Sequence, residues 1–220
     1  AGQPYRSLLN RIMMKNPMPE SSSRPKAALS IKWRYFKGLQ PYQPILDKMQ
    51  ANATAIRQDG ANEAVWLLEH NPIYTGGTSA KAEDLLTPGS VPSLHVGRGG
   101  QWTWHGPGQR IAYVMLDLNR RGKDVRALVY GLEGWIIASL GQFGVTGLRR
   151  SGLPGIWVDT GNGISGLDKI AAIGIRISRW VSWHGLAINL DPNLAAFDAI
   201  VPCGVYDGGV TSLAKLGVTA

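Results

Sequence analysis

The chain has 220 residues, 44% hydrophobic and 17% charged, enough apolar content for one sizeable core and unlike a disordered tail or a coiled coil. Its 23 Lys and Arg against 15 Asp and Glu give a net charge of +8, which favours acidic partners without naming their kind. No apolar run approaches ~18 residues and no signal-like apolar region opens the chain, so neither a membrane span nor a secretory leader is expected.

Residues 1–28 carry Arg6, Arg11, Lys15, Arg24 and Lys26 against Glu20 alone, with a Pro/Ser stretch between Pro17 and Pro25. So basic a segment, with little core-forming pattern, reads as a loosely ordered extension; a mitochondrial-type presequence remnant is the alternative. One domain is expected over 29–220. Residues 29–35 alternate in steps of two, as a half-buried strand does. Gln40-Pro41 opens a helix to about Arg57 with Ile45, Met49, Ala53 and Ile56 on one face, and Gly60 ends it. Residues 64–68 form a buried strand stopped by Asn71-Pro72, and 79–86 read as a short helix ended by Pro88-Gly89.

The stretch from Gly97 to Gln109 sets glycines around a short β-branched and aromatic run. It predicts a close approach to the backbone, a strand of about five residues and a second tight turn. A strand is expected next over 111–116. Asp124 caps a helix to about Leu140 that buries Val125, Leu128, Val129, Leu132 and Ile136; Gly131 and Gly134 within it suggest close packing against another element. Strands are expected over 145–149, 155–159, 169–177 and 180–190. The order predicts an α+β fold with mixed or antiparallel sheets rather than a doubly wound repeat.

Gly161-Asn162-Gly163-Ile164-Ser165-Gly166 matches G-x-G-x-x-G, but residues 170–175 beyond it are strand-like and not helical, so a hairpin loop is expected and not a nucleotide site. The lone cysteine, Cys203, excludes an internal disulfide and a multi-thiolate zinc cluster, and fits a reducing interior compartment. It sits in Pro202-Cys203-Gly204, either as an inert buried thiol or as a nucleophile whose thiolate a neighbour supports. Lys169 begins an otherwise apolar strand, where a desolvated amine could pass protons; a solvated strand-end lysine is the plainer reading, and Asp168 could simply neutralise it. His105 and His184 occur in similar Trp-His-Gly contexts and could be bases or hydrogen-bonded wall residues. Trp102, Trp104, Trp180 and Trp183 are either core or the wall of an apolar tunnel.

Taken together, Arg98 to Gln109, Lys169 to Gly174, His184 to Asn189 and Pro202-Cys203-Gly204 resemble the octanoyltransferases of lipoate biosynthesis, in order, from about residue 31 to 213. Glu69 to Thr75 and Lys81 to Leu86 add to the likeness. The resemblance implies the α+β catalytic domain shared with biotin and lipoate protein ligases: a larger mixed sheet and a smaller one, flanked by helices. It implies transfer of an octanoyl group from acyl carrier protein, through a cysteine thioester, to a lysine of lipoyl domains of oxoacid dehydrogenase subunits or the glycine-cleavage H protein. Cys203 would be the nucleophile, and Lys169 the residue that favours its thiolate and shuttles protons. Arg98, Gly99, Gly100, Gln101, Trp102, Thr103, Trp104 and His105 would line the substrate pocket, together with Ala172, Ile173, Gly174, His184, Gly185, Leu186 and Ala187. Backbone amides at Gly99, Gly100, Ala172, Ile173 and Gly174 would reach the acyl carbonyl. Trp104 and Trp183 stand where Tyr or Phe is common, which would narrow the slot.

Neither a cofactor nor a metal is expected, since thioester exchange is nearly isoenergetic and amide formation from a thioester runs downhill. The chain is expected to be a monomer in a bacterial cytoplasm, or alternatively mitochondrial, with no nucleic-acid or membrane partner. The alternative on the same fold is an ATP-dependent lipoate or biotin ligase, against which Pro202-Cys203-Gly204 argues. A basic nucleic-acid module lacks the interleaved cationic and aromatic stripe it would need. A Cys-His hydrolase would hand the acyl group to water.

Overall fold

A computed structural model describes residues 4–15, 31–162, 165–201 and 209–218 of the chain. Its frame is a sheet of seven strands in the order β1-β2-β6-β10-β9-β8-β7. These are β1 (Ile31–Gln40), β2 (Glu63–His70), β6 (Gln109–Met115), β7 (Leu148–Arg150), β8 (Leu153–Asn162), β9 (Gly166–Ser178) and β10 (Val181–Asn189). β1 and β2 run parallel and the other pairings are antiparallel. A second sheet of three strands has the order β4 (Ser93–His95), β3 (Ile73–Gly76), β5 (Trp102–His105).

The period of two decides which side each residue serves. Ile111, Tyr113 and Met115 of β6, Trp66 and Leu68 of β2 and Ala187 of β10 face α2 (Tyr42–Asp59), whose Ile45, Met49, Ala53 and Ile56 complete that layer. Ala112, Val114, Val65, Leu67, Leu186 and Ile188 point to the other side, onto Leu128, Leu132, Ile136 and Leu140 of α3 (Val125–Gly141). Asp124 caps α3, its carboxylate accepting from the Ala127 amide at 2.9 Å.

Three expectations need correcting. Residues 8–15 of the N-terminal segment are not loosely attached: α1 (Pro4–Lys15) buries Leu9 and Met13 in the α3-side core, and the Trp135 indole donates to the Met13 carbonyl at 3.2 Å. Residues 79–86 form only a 3-10 turn, Ala82–Asp84, because the backbone there pairs elsewhere. The Asp84 carbonyl accepts from Val201, and the Leu86 amide donates to Ala199. At Gly131 a Cβ would meet nothing within 4 Å, and at Gly134 only the end of Arg149, so neither glycine marks a tight helix contact. The small sheet's β3 and β4 were not foreseen. Residues 161–166 do turn between β8 and β9, Asn162 opposite Gly166, with 163–164 outside the described residues. Among the described residues no helix is long and apolar enough to cross a membrane.

Candidate active site

The sheet carries its smallest residues beneath the glycine-rich loop, where a Cβ on Gly174 would meet the loop and one on Gly185 the Ala112 carbonyl of β6. In the β9–β10 ladder Gly174 faces Gly185 and Ala172 faces Ala187, a two-by-two block of the smallest residues. Beside it on β6 stand Tyr113, opposite Gly185, and Ile111, opposite Ala187. The loop 98–101 and β5 roof this floor, and between them lies a narrow slot of about 50 Å³.

The glycine-rich loop is seated by Arg98. Its buried guanidinium donates to the Thr75 carbonyl and hydroxyl and to the Gly99 carbonyl, tying the loop to β3. A Cβ on Gly174 would stand 3.1 Å from both the Arg98 side chain and the Gly99 carbonyl, so glycine is what lets β9 accept the loop. Gly100 takes φ +86°, a left-handed turn that glycine enters without strain. The close approach foreseen here is therefore partly that of the chain to itself. The Gly99 amide already donates to the Ile175 carbonyl at 2.9 Å, which removes it from the expected set of carbonyl donors.

The slot's inner end is polar, and its hydrogen bonds have one direction. The Thr211 carbonyl can only accept, so Asn189 turns its amide NH2 towards it at 3.0 Å. The Asn189 oxygen then accepts from Gln109 at 3.0 Å, leaving the Gln109 oxygen to accept from His105 Nδ1 at 2.7 Å. His105 thus carries its proton on Nδ1 and presents a lone pair at Nε2. A second chain runs the same way: His70 Nδ1 donates to the Gln40 carbonyl at 2.9 Å, and Tyr113 must donate to His70 Nε2 at 2.7 Å. Burial pushes His70 down to about 4 and His105 to about 3, the latter helped by the neighbouring His70. His184 falls to about 3 through burial and the positive charge of Arg98. All three rings are neutral near pH 7. His184 also takes φ +59° within a strand, a costly conformation for a residue with a side chain, and its Nε2 is buried with no hydrogen-bond partner.

At the other end lies Lys169, 6% exposed. Its ammonium is 3.5 Å from the Pro154 carbonyl and 4.6 Å from the Trp157 ring centre, so it is a buried lysine and not a solvated one. It shares a small cavity with Thr103, Gln109 and Asn189 that adjoins the slot at Ala172 and Ala187. The neighbouring Asp168 projects to the opposite side of the strand, where its carboxylate accepts from the Gly209 amide and Asn162. Cys203 lies outside the described residues, as do 202–208. Their described flanks are anchored: the Val201 amide donates to Asp84, the Lys169 amide donates to the Gly209 carbonyl at 2.9 Å, and the Thr211 amide donates to the Lys169 carbonyl at 3.0 Å.

Of the residues expected at the pocket, Arg98, Gly100, Gln101, Trp102, Thr103 and His105 line it from the roof. Ala172, Ile173, Gly174, His184, Gly185, Leu186 and Ala187 line it from the sheet. Gly99 lines instead an adjoining outer groove that also contains Lys169. Trp104 does not reach the slot: it packs edge-on against Phe197 at 5.8 Å, and Gly106 is glycine because a Cβ there would strike the Trp104 ring. It cannot narrow the slot, and Trp183 is buried under α2. Tyr42, Ile111 and Tyr113 line the slot unforeseen. The sequence marks Ile111 and Tyr113 only as members of a strand, and nothing local marks Tyr42. No group of three or more His, Cys, Asp or Glu among the described residues could hold a metal ion.

Residues 41–219 match the family model of the lipoyl protein ligase A/B catalytic domain. An octanoyltransferase of Cereibacter sphaeroides is 56% identical over 194 residues, covering 86% of this chain and 89% of the relative. One of Maricaulis maris is 56% identical over 192 residues, covering 86% and 84%. Among solved structures, protein Ta0514 of T. acidophilum with bound lipoic acid matches at a TM-score of 0.59 and 13% identity, over 84% of this chain and 76% of that one. Lipoate-protein ligase A bound with ATP matches at 0.57 and 14%, over 86% and 75%. Those two likenesses speak for the fold alone. The chain belongs to the lipoyl protein ligase A/B catalytic domain family. Within that family it is an acyltransferase, and the group it moves in protein lipoylation is octanoyl.

Proposed function

We propose that the octanoyl group arrives as the phosphopantetheine thioester of acyl carrier protein, passes to Cys203, and leaves on a lysine of a lipoyl domain. The Cys203 thiolate attacks the donor carbonyl, and the pantetheine sulfur departs with a proton from Lys169. The acceptor amine then attacks the Cys203 thioester, its proton returning through Lys169 as the cysteine sulfur leaves. The bonds exchanged balance without ATP, metal or redox cofactor.

The observation that carries this reading is an apolar slot that begins beside a buried lysine. Pro154 on β8, where the ammonium rests, is two strands from Gly185 on β10, a span of about 10 Å at the usual strand spacing. An extended octanoyl chain measures roughly 9 Å, by analogy with extended backbone. Burying its methylenes at ~0.8 kcal/mol each is worth about 5 kcal/mol of binding. Outward from Lys169 the groove passes Gly152, Leu153 and Pro154 into a cleft edged by Arg126, Arg150 and the Arg149–Glu133 ion pair, a rim of net positive charge that suits an acidic carrier domain. The reading is of a monomer acting in the cytoplasm.

Intact-mass measurement after incubation with octanoyl-acyl carrier protein tests it. A stable gain of one octanoyl group is expected, absent in Cys203→Ala and at least ~100-fold slower in Lys169→Ala. Lys169→Arg should not restore the rate, because a guanidinium does not give up its proton. Activity that needs ATP and free octanoate would overturn the reading, as would release of the acyl group to water without an acceptor domain.

A further inference from the structure

Two imidazole nitrogens at the inner end of the slot have no part in the transfer chemistry. His105 Nε2 is held as an acceptor by the one-way chain from the Thr211 carbonyl through Asn189 and Gln109. His184 Nε2 is buried without a hydrogen-bond partner in a residue 1% exposed. Both rings line the slot. They also surround one cluster: Tyr113 lies 6.1 Å from His184 and 5.8 Å from His70, ring centre to ring centre, and His105 lies 6.0 Å from His70. Two of the donors nearby are engaged, while the Trp183 indole N–H, stacked on His184, is buried without a partner. The proton of Tyr113 goes to His70, and the guanidinium of Arg98 grips Thr75 and Gly99. A slot built only for hydrocarbon would end in aliphatic or phenyl side chains. Here it ends in the Nε2 lone pair of His105 and in the buried, unpartnered Nε2 of His184, and a buried polar atom costs free energy until a partner meets it.

We propose that the inner end of the slot is a hydrogen-bond-accepting subsite, formed around His105 Nε2 with His184, that takes an O–H donor at the tail of the acyl chain. An eight-carbon acyl group ending in a hydroxyl is then a substrate, and with a methyl tail the donor is a water molecule. The inference rests on the reading of the slot as the octanoyl site. Lys169 adjoins the slot through Ala172 and Ala187, and the chain that orients His105 begins in the same small cavity at Asn189 and Gln109, while His184 and Tyr113 stand away from it.

The test compares octanoyl-pantetheine with 8-hydroxyoctanoyl-pantetheine as acyl donors to the full chain, read as kcat/KM for enzyme acylation. An apolar end would reject the added hydroxyl by ~100-fold. The subsite predicts that wild type accepts it within about tenfold of octanoyl, and that His105→Phe worsens the hydroxylated donor relative to octanoyl by about tenfold or more. Rejection beyond about tenfold by wild type, or an unchanged ratio in a folded His105→Phe, overturns the proposal. Failure of octanoyl-pantetheine itself to acylate the enzyme would count against the transfer reading instead. Calorimetric binding of 8-hydroxyoctanoate against octanoate then still reads the inner end, equal or tighter binding of the hydroxy acid supporting the subsite and weaker binding overturning it.

Discussion

Acid should unfold this protein earlier than its carboxylates alone would dictate, and the inner end of the slot is the reason. His70, His105 and His184 are buried and titrate in the folded chain at about 4, 3 and 3, against the ordinary value of 6.5. Between those limits the unfolded chain binds protons that the folded chain refuses, so stability is complete above about pH 6.5 and falls as the pH drops towards 3. At pH 5.5 each histidine of the unfolded chain is largely protonated, and each refusal costs about 1.4 kcal/mol relative to pH 7.5. Three together come to ~4 kcal/mol, a large share of the 5–15 kcal/mol typical of a domain. Urea unfolding at half-unit steps from pH 7.5 to 5 reads this directly. The free energy should decline with a slope approaching three protons taken up on unfolding, and His184→Phe should lower that slope by about one proton. A flat profile from pH 7.5 to 5.5, or one that rises towards acid, would refute the argument, because it would mean that the rings are hydrated or already charged in the folded state.

Two further outcomes are expected from the packing. Glu69 and Arg110 form a buried ion pair at 3.2 Å with side chains 6% and 1% exposed, and Glu69 also accepts from the Gly108 amide at the turn before β6. Glu69→Leu strands the guanidinium and should cost about 3–5 kcal/mol in urea unfolding, with part of the loss recovered in the double variant with Arg110→Met; an unchanged midpoint would contradict the burial. Ala187→Leu places a branched side chain on the floor of the slot. It should lower kcat/KM for octanoyl transfer by at least ~10-fold while sparing butanoyl transfer, and an equal loss for both chains would show that the floor does not hold the acyl group.

What the sequence made legible was whatever repeats with a short period or sits within one motif. Alternation in 29–35 named β1, the apolar run 111–116 named β6, the face of Ile45, Met49, Ala53 and Ile56 named α2, and the small residues at 172, 174, 185 and 187 could be picked out from their motifs. Facts that depend on a partner far along the chain stayed hidden. Leu9 and Met13 are too few to signal a helix, and their burial depends on Trp135, more than a hundred residues later. Residues 79–86 have helical composition, yet their backbone is claimed by Ala199 and Val201. Trp104 and Thr103 are neighbours on β5, and only the position of Phe197 decides which of them turns from the slot. Tyr42 is one more apolar residue on a helix until His70, His105 and Tyr113 are seen around it.

Gly174 and Gly185 are held to glycine by the loop and by the Ala112 carbonyl, so Ala172 and Ala187 are the floor positions left small, and that gives the site's evolution a direction. Nearly every substitution at the two alanines adds atoms, since alanine can lose only a methyl. Single changes on the floor can therefore shorten the acyl group accepted, many times over and by many routes, but they can scarcely lengthen it. Variation towards longer chains has to come from the wall at the far end, where Tyr42, His105 and Tyr113 have bulk to lose. His105 and Tyr113 are held in two hydrogen-bonded chains and Tyr42 bonds Tyr113, so each such step would also break a polar network. A lineage built on this floor can drift readily towards shorter substrates and meets resistance in the other direction.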